Sequence, residues 1–463
     1  MKPMRLSSIA AMTAGRVVGE DIVVDRLLTD TRGLAHIDPA VRAASLFVAL
    51  KGASFDGHDH VQAARDAGIG AALVARVVGD VPKVQVGDTQ LALADLARGL
   101  QASRGAKVVA ITGSNGKTSV KTLTLAILER AGHTYGNPGN RNNEIGLPLA
   151  VIDAPEDADF AVYEMGAGAP GDIAYLTAIA RPQVSLVNNI AAAHLERMGS
   201  LVGIADTKAA IYDALPPDGV AVINADDAFA PYFADRAAGR RLIRFGLESS
   251  ADVTARDIRL GEGGSDFLLV TPEGEAAVRL AMTGRHNVRN ALAAASLALG
   301  AGTALATIVD GLHAAQPVAG RLVTHRMSTG ATLIDDSYNA NPGSLAAAID
   351  TLAAMPGESW LVLGDMRELG DDAAALHAQA GVRAREAGIV RLYGLGPLSA
   401  EAVRAFGAHA RHFDTHAALA DSLRADLTSG VRVLVKGSRG SAMDRIVAAL
   451  LPADGHEGSP HAA

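Results

Sequence analysis

The chain has 463 residues, which predicts about three domains at roughly 150 residues per domain. Hydrophobic residues make up 49% of the chain and charged residues 20%, a composition that excludes global disorder. The 50 acidic residues outnumber the 42 basic ones, and the net charge of −8 argues against a nucleic-acid partner, which would require a basic surface. The absence of cysteine excludes disulfides, iron–sulfur clusters, thiolate metal sites and cysteine nucleophiles, so any metal must have oxygen or imidazole ligands.

No segment has the pattern of a targeting signal or a membrane span. The N-terminal residues contain no apolar run long enough for a signal peptide. The uncharged stretch 291–309 is interrupted by Gly300 and Gly302, and we predict that it forms two helices that meet at a glycine turn. We therefore expect a cytoplasmic protein with no stable membrane insertion.

Short strands rich in Val, Ile and Leu alternate with Ala-rich amphipathic helices along the chain, a pattern that predicts an α/β fold with mainly parallel sheets. The first unit ends near 82–87, and the third begins near 316–320. Residues 252–280 alternate apolar and polar positions between glycine turns, which predicts a small antiparallel sheet. Segment 394–399 is a plain strand, turn and helix, since it lacks the third glycine of a dinucleotide motif.

These elements divide the chain into segments 1–85, 86–317 and 318–452, with a disordered tail at 453–463. The predicted strands are 46–50, 71–75, 107–112, 160–164, 184–188, 219–223, 331–335, 359–363, 390–393 and 432–435. The predicted helices that flank them include 61–67, 89–104 and 117–131.

A glycine-rich turn between strand 107–112 and helix 117–131 is the strongest chemical signal. Glycines allow several backbone N–H groups to point at phosphate oxygens, and the helix N-terminus adds partial positive charge. Lys117 would bind the outer phosphates and the Thr118 hydroxyl would bind Mg²⁺. Ile111 occupies the place of the usual first glycine, so the loop is a shortened variant. The alternative is an ordinary glycine-rich turn. The candidate ATP-binding residues here are Gly113, Ser114, Asn115, Gly116, Lys117, Thr118 and Ser119.

Two strand ends carry candidate metal ligands. Glu164 ends an apolar strand at the edge where α/β sheets bind ligands, and a carboxylate there can hold Mg²⁺. The alternative for Glu164 is a helix cap or a solvated side chain. His194 follows the strand predicted at 184–188, although a single histidine is more often structural.

Other polar residues leave alternatives open. Lys208 fits a solvated helical lysine. Asn287 and Asn290 share one face at a helix start, where Asn287 could be a simple N-cap. The run 335–342 after a strand would bind a ribose or base, or form an Asx turn before Pro342.

Taken together, these segments resemble the Mur ligases, the ATP-dependent amide-forming enzymes of cell-wall precursor synthesis, from about residue 29 to about residue 447. The segments that resemble the D-alanyl-D-alanine-adding branch are 136–140, 142–148, 336–342, 363–370 and 435–440.

The resemblance implies three domains: 1–85 for the UDP-linked substrate, 86–317 as a central P-loop ATPase, and 318–452 as a mobile Rossmann-like domain. It implies that Glu164 and His194 bind a second Mg²⁺, and that Lys208 is carbamylated beside the magnesium. The nucleotide ligands it implies are Lys117, Thr118, Asn287, Asn290, Arg321, Asp336 and Asn341. The UDP-binding residues it implies are Asp30, Thr31, Arg32, Lys51, Asp56, Gly57 and His58.

The activity implied is ATP-dependent ligation of D-alanyl-D-alanine to UDP-N-acetylmuramoyl-tripeptide through an acyl phosphate, by a monomer that uses ATP and Mg²⁺. The alternatives are a sibling ligase that adds a diamino acid, a folylpolyglutamate synthase, a non-catalytic nucleotide-binding module and a P-loop kinase. Asn341-Pro342-Gly343 stands where the diamino-acid-adding ligases carry Asp-Asn-Pro-Arg, which favours the D-alanyl-D-alanine-adding branch.

Overall fold

The computed structural model describes residues 1–52, 54–192, 195–261 and 263–451. Within these ranges the chain forms an α/β fold with three principal sheets, as the sequence predicts. The predicted tail, 453–463, lies outside the described residues. None of the described helices combines the length and apolar character that crossing a bilayer requires.

The first sheet is formed by short strands near the N-terminus. The elements of this part are β1 (Met4–Arg5), α1 (Leu6–Met12), β2 (Arg16–Val18), β3 (Val23–Val24), β4 (Arg26–Leu28), α2 (Pro39–Ala43), β5 (Ser45–Val48), α3 (Val61–Asp66), β6 (Ala71–Val74) and β7 (Lys83–Gln85), with 3₁₀ turns at Leu34–His36 and Gly57–His60. The strand order is β2-β7-β6-β5-β4, and β1 and β3 pair separately. Because β4 and β5 are parallel, the segments that follow them leave the sheet at the same edge.

The second sheet is entirely parallel and has the strand order β13-β12-β11-β8-β10-β9. Its elements are α4 (Thr89–Ala102), β8 (Lys107–Thr112), α5 (Lys117–Leu128), β9 (Thr134–Gly136), α6 (Gly146–Asp153), β10 (Phe160–Glu164), α7 (Asp172–Ala180), β11 (Val184–Val187), α8 (Leu195–Met198), α9 (Leu201–Asp213), β12 (Val220–Asn224), α10 (Ala230–Arg236) and β13 (Arg241–Phe245). β8 lies between β10 and β11 and is buried from Val108 onward, which explains its continuous apolar run. The carboxyl ends of β8, β10 and β11 therefore meet at one edge.

The predicted antiparallel sheet and helix pair follow. They comprise β14 (Thr254–Gly261), β15 (Gly264–Thr271), β16 (Gly274–Leu280), α11 (Arg285–Gly300) and α12 (Leu305–Ala314). The three strands pair in antiparallel order, and α11 ends at Gly300, one of the two predicted glycine breaks. Phe267 and Leu280 of this sheet pack in one apolar cluster with α11 and β8.

The third sheet has the order β17-β18-β22-β19-β20-β21, in which only β17 runs antiparallel to its neighbour. Its elements are β17 (Val323–Arg326), β18 (Thr332–Asp336), α13 (Pro342–Ala353), β19 (Glu358–Gly364), α14 (Ala373–Glu386), β20 (Arg391–Leu395), α15 (Ser399–Phe406), β21 (Ala410–Phe413), α16 (His416–Asp426), β22 (Val431–Lys436) and α17 (Asp444–Leu450), with 3₁₀ turns at Gly370–Asp372 and Arg439–Ser441. Asp336 and Lys436 are register partners at the ends of β18 and β22, so their side chains emerge together.

The apolar core does not divide in the same way as the sheets. One cluster joins Leu6 and Leu46 of the first sheet region, through Leu93 of α4, to Leu147 and Tyr163 beside the second sheet. The third sheet has separate clusters on its two faces. The domain boundary at 85/86 therefore stays a prediction.

Candidate active site

The glycine-rich turn connects the carboxyl end of β8 to the N-terminus of α5. Gly113 and Gly116 have φ values of +144° and +78°, and a Cβ on Gly116 would lie 2.6 Å from the Asn188 and Asn290 side chains. Only glycine fits this conformation and this space. The Lys117 ammonium donates to the Gly113 carbonyl at 2.8 Å. Burial lowers the pKa of Lys117, and the nearby Glu164 carboxylate opposes that shift.

The loop is held from one side by the segment after β11. Asn189 accepts a hydrogen bond from Asn115 N through its side-chain oxygen, at 2.9 Å, and from Ser114 N through its carbonyl oxygen, also at 2.9 Å. The Ser114 hydroxyl donates to the Ala191 carbonyl at 3.1 Å. Asn188 donates to the Asn115 carbonyl at 3.0 Å. The segment that precedes His194 therefore fixes the phosphate loop.

Glu164 is a buried carboxylate at the centre of the site, only 4% exposed. It accepts hydrogen bonds from the Thr118 hydroxyl at 3.0 Å and from the Asn142 amide at 2.8 Å. The Lys121 ammonium lies 3.7 Å from its Oε2. The alternative readings of Glu164 as a helix cap or a solvated side chain are therefore wrong.

A chain of asparagines continues away from the loop. Asn188 donates to Asn290 Oδ1 at 3.2 Å, Asn290 donates to Asn287 Oδ1 at 3.2 Å, and Asn287 donates to the Thr283 carbonyl at 2.9 Å. Gly284 is the N-cap of α11, so the N-cap interpretation of Asn287 is wrong. The structure thus places Asn287 and Asn290 on one buried strip that leads from the phosphate loop.

Lys208 lies on α9 and is only 2% exposed, which contradicts its interpretation as a solvated helical lysine. Burial lowers its pKa to about 7, the neighbouring Lys117 charge adds to that shift, and Asp172 opposes it. Among the described residues, no hydrogen bond or ion pair involves its ammonium group. The amine is therefore partly neutral near pH 7.

The third sheet contributes residues from across the cleft. The Arg321 guanidinium donates to the Thr118 hydroxyl at 3.2 Å, and it stacks 4.3 Å from the centre of the Tyr338 ring. Its Nε is buried without a hydrogen-bond partner in the described structure, so a donor is left for an oxygen ligand.

Asn341 and Asp336 extend this face. Asn341 donates to Asn115 Oδ1 at 2.7 Å and also caps α13 by accepting from Ser344 N. It therefore has a structural role and a position against the loop. Asp336 accepts from the Lys436 ammonium at 2.5 Å. Burial raises the pKa of Asp336, and the Lys436 charge opposes that shift.

The candidate UDP-binding residues lie at the shared edge of β4 and β5. Thr31 is half-buried beside Asp30, which forms an exposed ion pair with Arg32 at 2.6 Å. Asp56 forms an isolated bridge with the exposed Lys51, and it accepts from His58 Nδ1 at 2.6 Å. His58 Nε2 accepts from Ala75 N at 2.8 Å, so the neutral ring carries its proton on Nδ1. A Cβ on Gly57 would lie 2.6 Å from the Leu50 carbonyl oxygen.

The two remaining candidates differ in outcome. His194 lies outside the described residues, so its role as a metal ligand stays a prediction. Ser119 lies on the buried face of α5. Several residues that contact the site have no role predicted from the sequence: Lys121, Asn142, Asn188, Asn189 and Lys436. Lys121 and Lys436 are polar residues in otherwise apolar elements, and Asn188 and Asn189 directly follow the apolar strand β11.

The oxygen ligands fit a magnesium ion. The Thr118 hydroxyl and the Glu164 carboxylate are 3.0 Å apart, and both are hard oxygen donors of the kind that Mg²⁺ prefers. In the described part of the chain, no three His, Asp or Glu side chains form a metal cluster. Two protein ligands are enough, because Mg²⁺ usually keeps waters and binds substrate phosphates. Thr118 and Glu164 would hold the ion beside the outer phosphates.

Comparisons with known proteins agree with this geometry. The family model of the Mur ligase middle domain matches residues 111–298, and that of the Mur ligase glutamate ligase domain matches residues 320–439. The UDP-N-acetylmuramoyl-tripeptide–D-alanyl-D-alanine ligase of Escherichia coli (strain K12) is 42% identical over 97% of this chain and 99% of its own length.

Solved structures extend the likeness to three dimensions. A crystal structure of MurF from Acinetobacter baumannii superposes with a TM-score of 0.92 at 32% identity, covering 97% of this chain and 99% of that one. MurF from Thermotoga maritima in complex with ADP gives a TM-score of 0.83 at 27% identity, covering 92% of this chain and 97% of that one. The chain therefore belongs to the Mur ligase family, in the branch of the UDP-N-acetylmuramoyl-tripeptide–D-alanyl-D-alanine ligases.

Proposed function

We propose that this protein joins D-alanyl-D-alanine to UDP-N-acetylmuramoyl-tripeptide at the expense of ATP, giving UDP-N-acetylmuramoyl-pentapeptide, ADP and phosphate for peptidoglycan synthesis. The main support for the proposal is that Thr118 contacts both Glu164 and Arg321. A hydroxyl of the phosphate loop lies 3.0 Å from a buried carboxylate and 3.2 Å from a guanidinium of the third sheet. This arrangement brings two oxygen donors and a cation to one point between two sheets, which supports the binding of magnesium and a triphosphate there.

The chemistry starts from a carboxylate that resists amines because oxide is a very poor leaving group. An oxygen of the tripeptide carboxylate attacks the γ-phosphorus of ATP, the bond to ADP breaks, and an acyl phosphate forms. The amine of D-alanyl-D-alanine then attacks the acyl carbon, phosphate leaves, and the amine loses a proton. Lys117 and Arg321 would offset the repulsion between carboxylate and triphosphate, so catalysis here is positioning and charge neutralisation.

Magnesium bound at Thr118 and Glu164 would supply further positive charge to the phosphates. Glu164 and His194 are proposed to bind a second magnesium ion together. The asparagine strip at Asn287 and Asn290 would border the nucleotide, and Asp336 would accept from its ribose.

Lys208 is proposed to be carbamylated. Carbamate formation needs a neutral amine, and burial lowers the pKa of Lys208 to about 7. The carbamate would be an anion beside Lys117 and the metal, which removes the cost of burying an unpaired lysine charge.

The parts of the chain that form the three sheets are proposed to have different functions. We propose that residues 1–85 bind the UDP-linked substrate, that 86–317 bind ATP, and that 318–452 close over the cleft. Closure would protect the acyl phosphate from water, which would otherwise hydrolyse it. We propose that the enzyme acts as a cytoplasmic monomer.

The test is a coupled ADP- and phosphate-release assay with purified protein. Turnover should require ATP, magnesium, D-alanyl-D-alanine and the UDP-tripeptide together, and the UDP-pentapeptide should appear in equal amount by mass spectrometry. Both tripeptides, with meso-diaminopimelate or lysine as the third residue, should be supplied. ADP release that depends on a single amino acid and not on the dipeptide would overturn the proposal. ADP release that proceeds without the UDP-tripeptide would also overturn it.

A further inference from the structure

Lys121 is a buried cation to which the proposed function gives no role. It lies one helical turn beyond Lys117 on α5, and its side chain is only 7% exposed. Its ammonium donates to the carbonyls of Asn137 at 2.9 Å and Gly139 at 3.3 Å. The same ammonium lies 3.7 Å from Oε2 of Glu164.

Glu164 needs a counter-ion when no metal is present. Its side chain is only 5% exposed, and a buried carboxylate is stable only when it is paired and hydrogen-bonded. Thr118 and Asn142 supply neutral hydrogen bonds. Of the cations in the described structure, Lys121 is the one that lies within 4.0 Å of the carboxylate.

The position of the Lys121 ammonium is fixed by backbone. The two carbonyls that hold it belong to the loop after β9, and that loop is itself tied to Glu164. The Asn137 side chain donates to the Glu164 carbonyl at 3.1 Å and accepts from the Glu164 N–H at 2.9 Å. The cation therefore stays beside the carboxylate when a ligand enters.

A divalent ion that binds Glu164 must then approach a fixed positive charge. Lys117 and Arg321 add positive charge nearby: the Glu164 carboxylate acts on the pKa of Lys117, and the Arg321 charge lowers the pKa of both Lys117 and Lys121. An anionic triphosphate offsets these charges, so the metal gains most of its attraction only when the nucleotide is present.

We propose that Lys121 is the counter-ion of Glu164 in the metal-free protein and makes metal binding at Glu164 depend on the nucleotide. Lys121 is thus a positioning residue that couples two ligands, and this inference rests on the proposed function. Such coupling is reciprocal, so metal and nucleotide raise each other's affinity by the same factor.

The test measures the binding of Mn²⁺, used as the probe ion, to the full chain at pH 8. Electron paramagnetic resonance and calorimetry give the dissociation constant. The dissociation constant is measured without nucleotide and with an ATP analogue whose β–γ bridge is a methylene group. Changes beside metal ligands typically move metal affinity by about 10- to 100-fold. We expect Lys121→Met to bind Mn²⁺ alone at least about tenfold more tightly than the unaltered protein, and the gain from the analogue to shrink by the same factor.

Three variants make the result specific. Lys121→Arg keeps the charge and should keep the weak binding of Mn²⁺ alone. Lys83→Met is the matched control, because Lys83 is also buried and donates to two carbonyls, at 3.1 and 2.7 Å, but lies in the first sheet. It should change nothing. Adding Glu164→Gln to Lys121→Met should remove the gain, which locates the ion at Glu164.

If Lys121→Met folds poorly, Lys121→Gln replaces it in the same binding measurements. Its amide also lacks the charge but keeps hydrogen-bond donors for the loop carbonyls. Mn²⁺ binding without nucleotide that is equal or weaker in the variants that lack the charge would overturn the proposal. The binding measurements use no acceptor substrate, so a failure of the ligation assay and a failure of this proposal are distinguishable.

Discussion

Lys117 lies at the point where the phosphate loop becomes helix, and its ammonium donates to the Gly113 carbonyl inside the loop. It is poised to exchange a weakly basic carbonyl for phosphate oxygens, which bind an ammonium more strongly because they are charged. We expect Lys117→Ala to lower the rate of substrate-dependent ADP release by on the order of 10²–10³.

Lys107→Ala is the control for this change. Lys107 begins β8 at the opposite end of the strand and donates to the Ala301 carbonyl at 3.0 Å. Its replacement should leave turnover near normal. Near-normal turnover in Lys117→Ala would refute the assignment of the phosphate loop.

Lys208 gives a prediction about pH and carbon dioxide. Its pKa is lowered to about 7, so the amine gains a proton as the pH falls below 7 and can then no longer form a carbamate. Activity should therefore decline as the pH falls through this range and should increase with added bicarbonate. Lys208→Ala should lose activity, and acetate should partly restore it by supplying the missing anion.

The rescue has an internal control. Acetate should not restore Lys117→Ala, because that variant lacks a cation. In Lys208→Ala with acetate, the response to bicarbonate should disappear. Activity that is indifferent to Lys208→Ala would count against the carbamate.

These residues show what the sequence could and could not predict. The turn between β8 and α5 was predictable because Lys117 and Thr118 follow a glycine pattern that is typical of such turns, and its binding of phosphate stays a prediction. The residue pattern by itself did not identify Lys208 as a site residue. Helix α9 is buried along much of its circumference, including Thr207, Ala209 and Tyr212, and it has no clear polar face. Lys121 carried only a weak signal, a lysine on the buried face of α5.

At the scale of elements, the start of α5 depends on the left-handed conformation of Gly116, its N-cap. An alanine there would adopt an unfavourable φ of +78° and place its Cβ 2.6 Å from Asn188 and Asn290. We expect Gly116→Ala to lower the free energy of unfolding by about 2–5 kcal/mol, from strain and overpacking together. Denaturant unfolding measures this, and calorimetry should show weaker ADP binding.

Gly171→Ala separates strain from crowding. Gly171 is also the left-handed N-cap of a helix, α7, with φ of +91°, but no atom lies within 4 Å of an added Cβ. It should lose only about 1–2 kcal/mol and keep its ADP affinity. Equal losses in the two variants would show that contact with the asparagines is unimportant.

The type of an element was predictable where its apolar residues followed a single clear pattern, either a continuous run or a helical spacing. The strand 107–112 and the strand 160–164 were predicted with their observed bounds, because each is an apolar run followed by a functional turn. The helix predicted at 117–131 ends earlier, at Leu128, where bonds to the third residue back, from Arg130 N to the Ile127 carbonyl and from Ala131 N to the Leu128 carbonyl, tighten the chain into a turn. Sequence alone does not show where such a turn replaces the next helical bond.

At the scale of the whole molecule, the site is assembled from two sheets that the sequence separates widely. Thr118 and Arg321 are 203 positions apart, and Asn115 and Asn341 are 226 apart, yet both pairs are hydrogen-bonded. No local sequence pattern predicts contacts between residues so far apart, so these hydrogen bonds could be expected only from the family resemblance. The proposed binding of the nucleotide at this loop would therefore be coupled to the position of the third sheet.

Arg321 tests that coupling. Its guanidinium is held by the Tyr338 ring and reaches Thr118, with a buried Nε left to donate to an oxygen of the nucleotide. We expect Arg321→Ala to lower the rate of ligation by on the order of 10²–10³, because it removes a positioned donor from the developing charge. Arg321→Lys should restore only part of the rate, since an ammonium keeps the charge but neither stacks on the ring nor donates in a planar fork. Arg326→Lys, at an exposed position on the neighbouring β17, should behave as the unaltered enzyme does. The measurement is steady-state ADP release at saturating substrates, alongside ADP binding by calorimetry. A full rate in Arg321→Ala would mean that the third sheet does not contribute its arginine to the reaction and that the contact with Thr118 is merely structural.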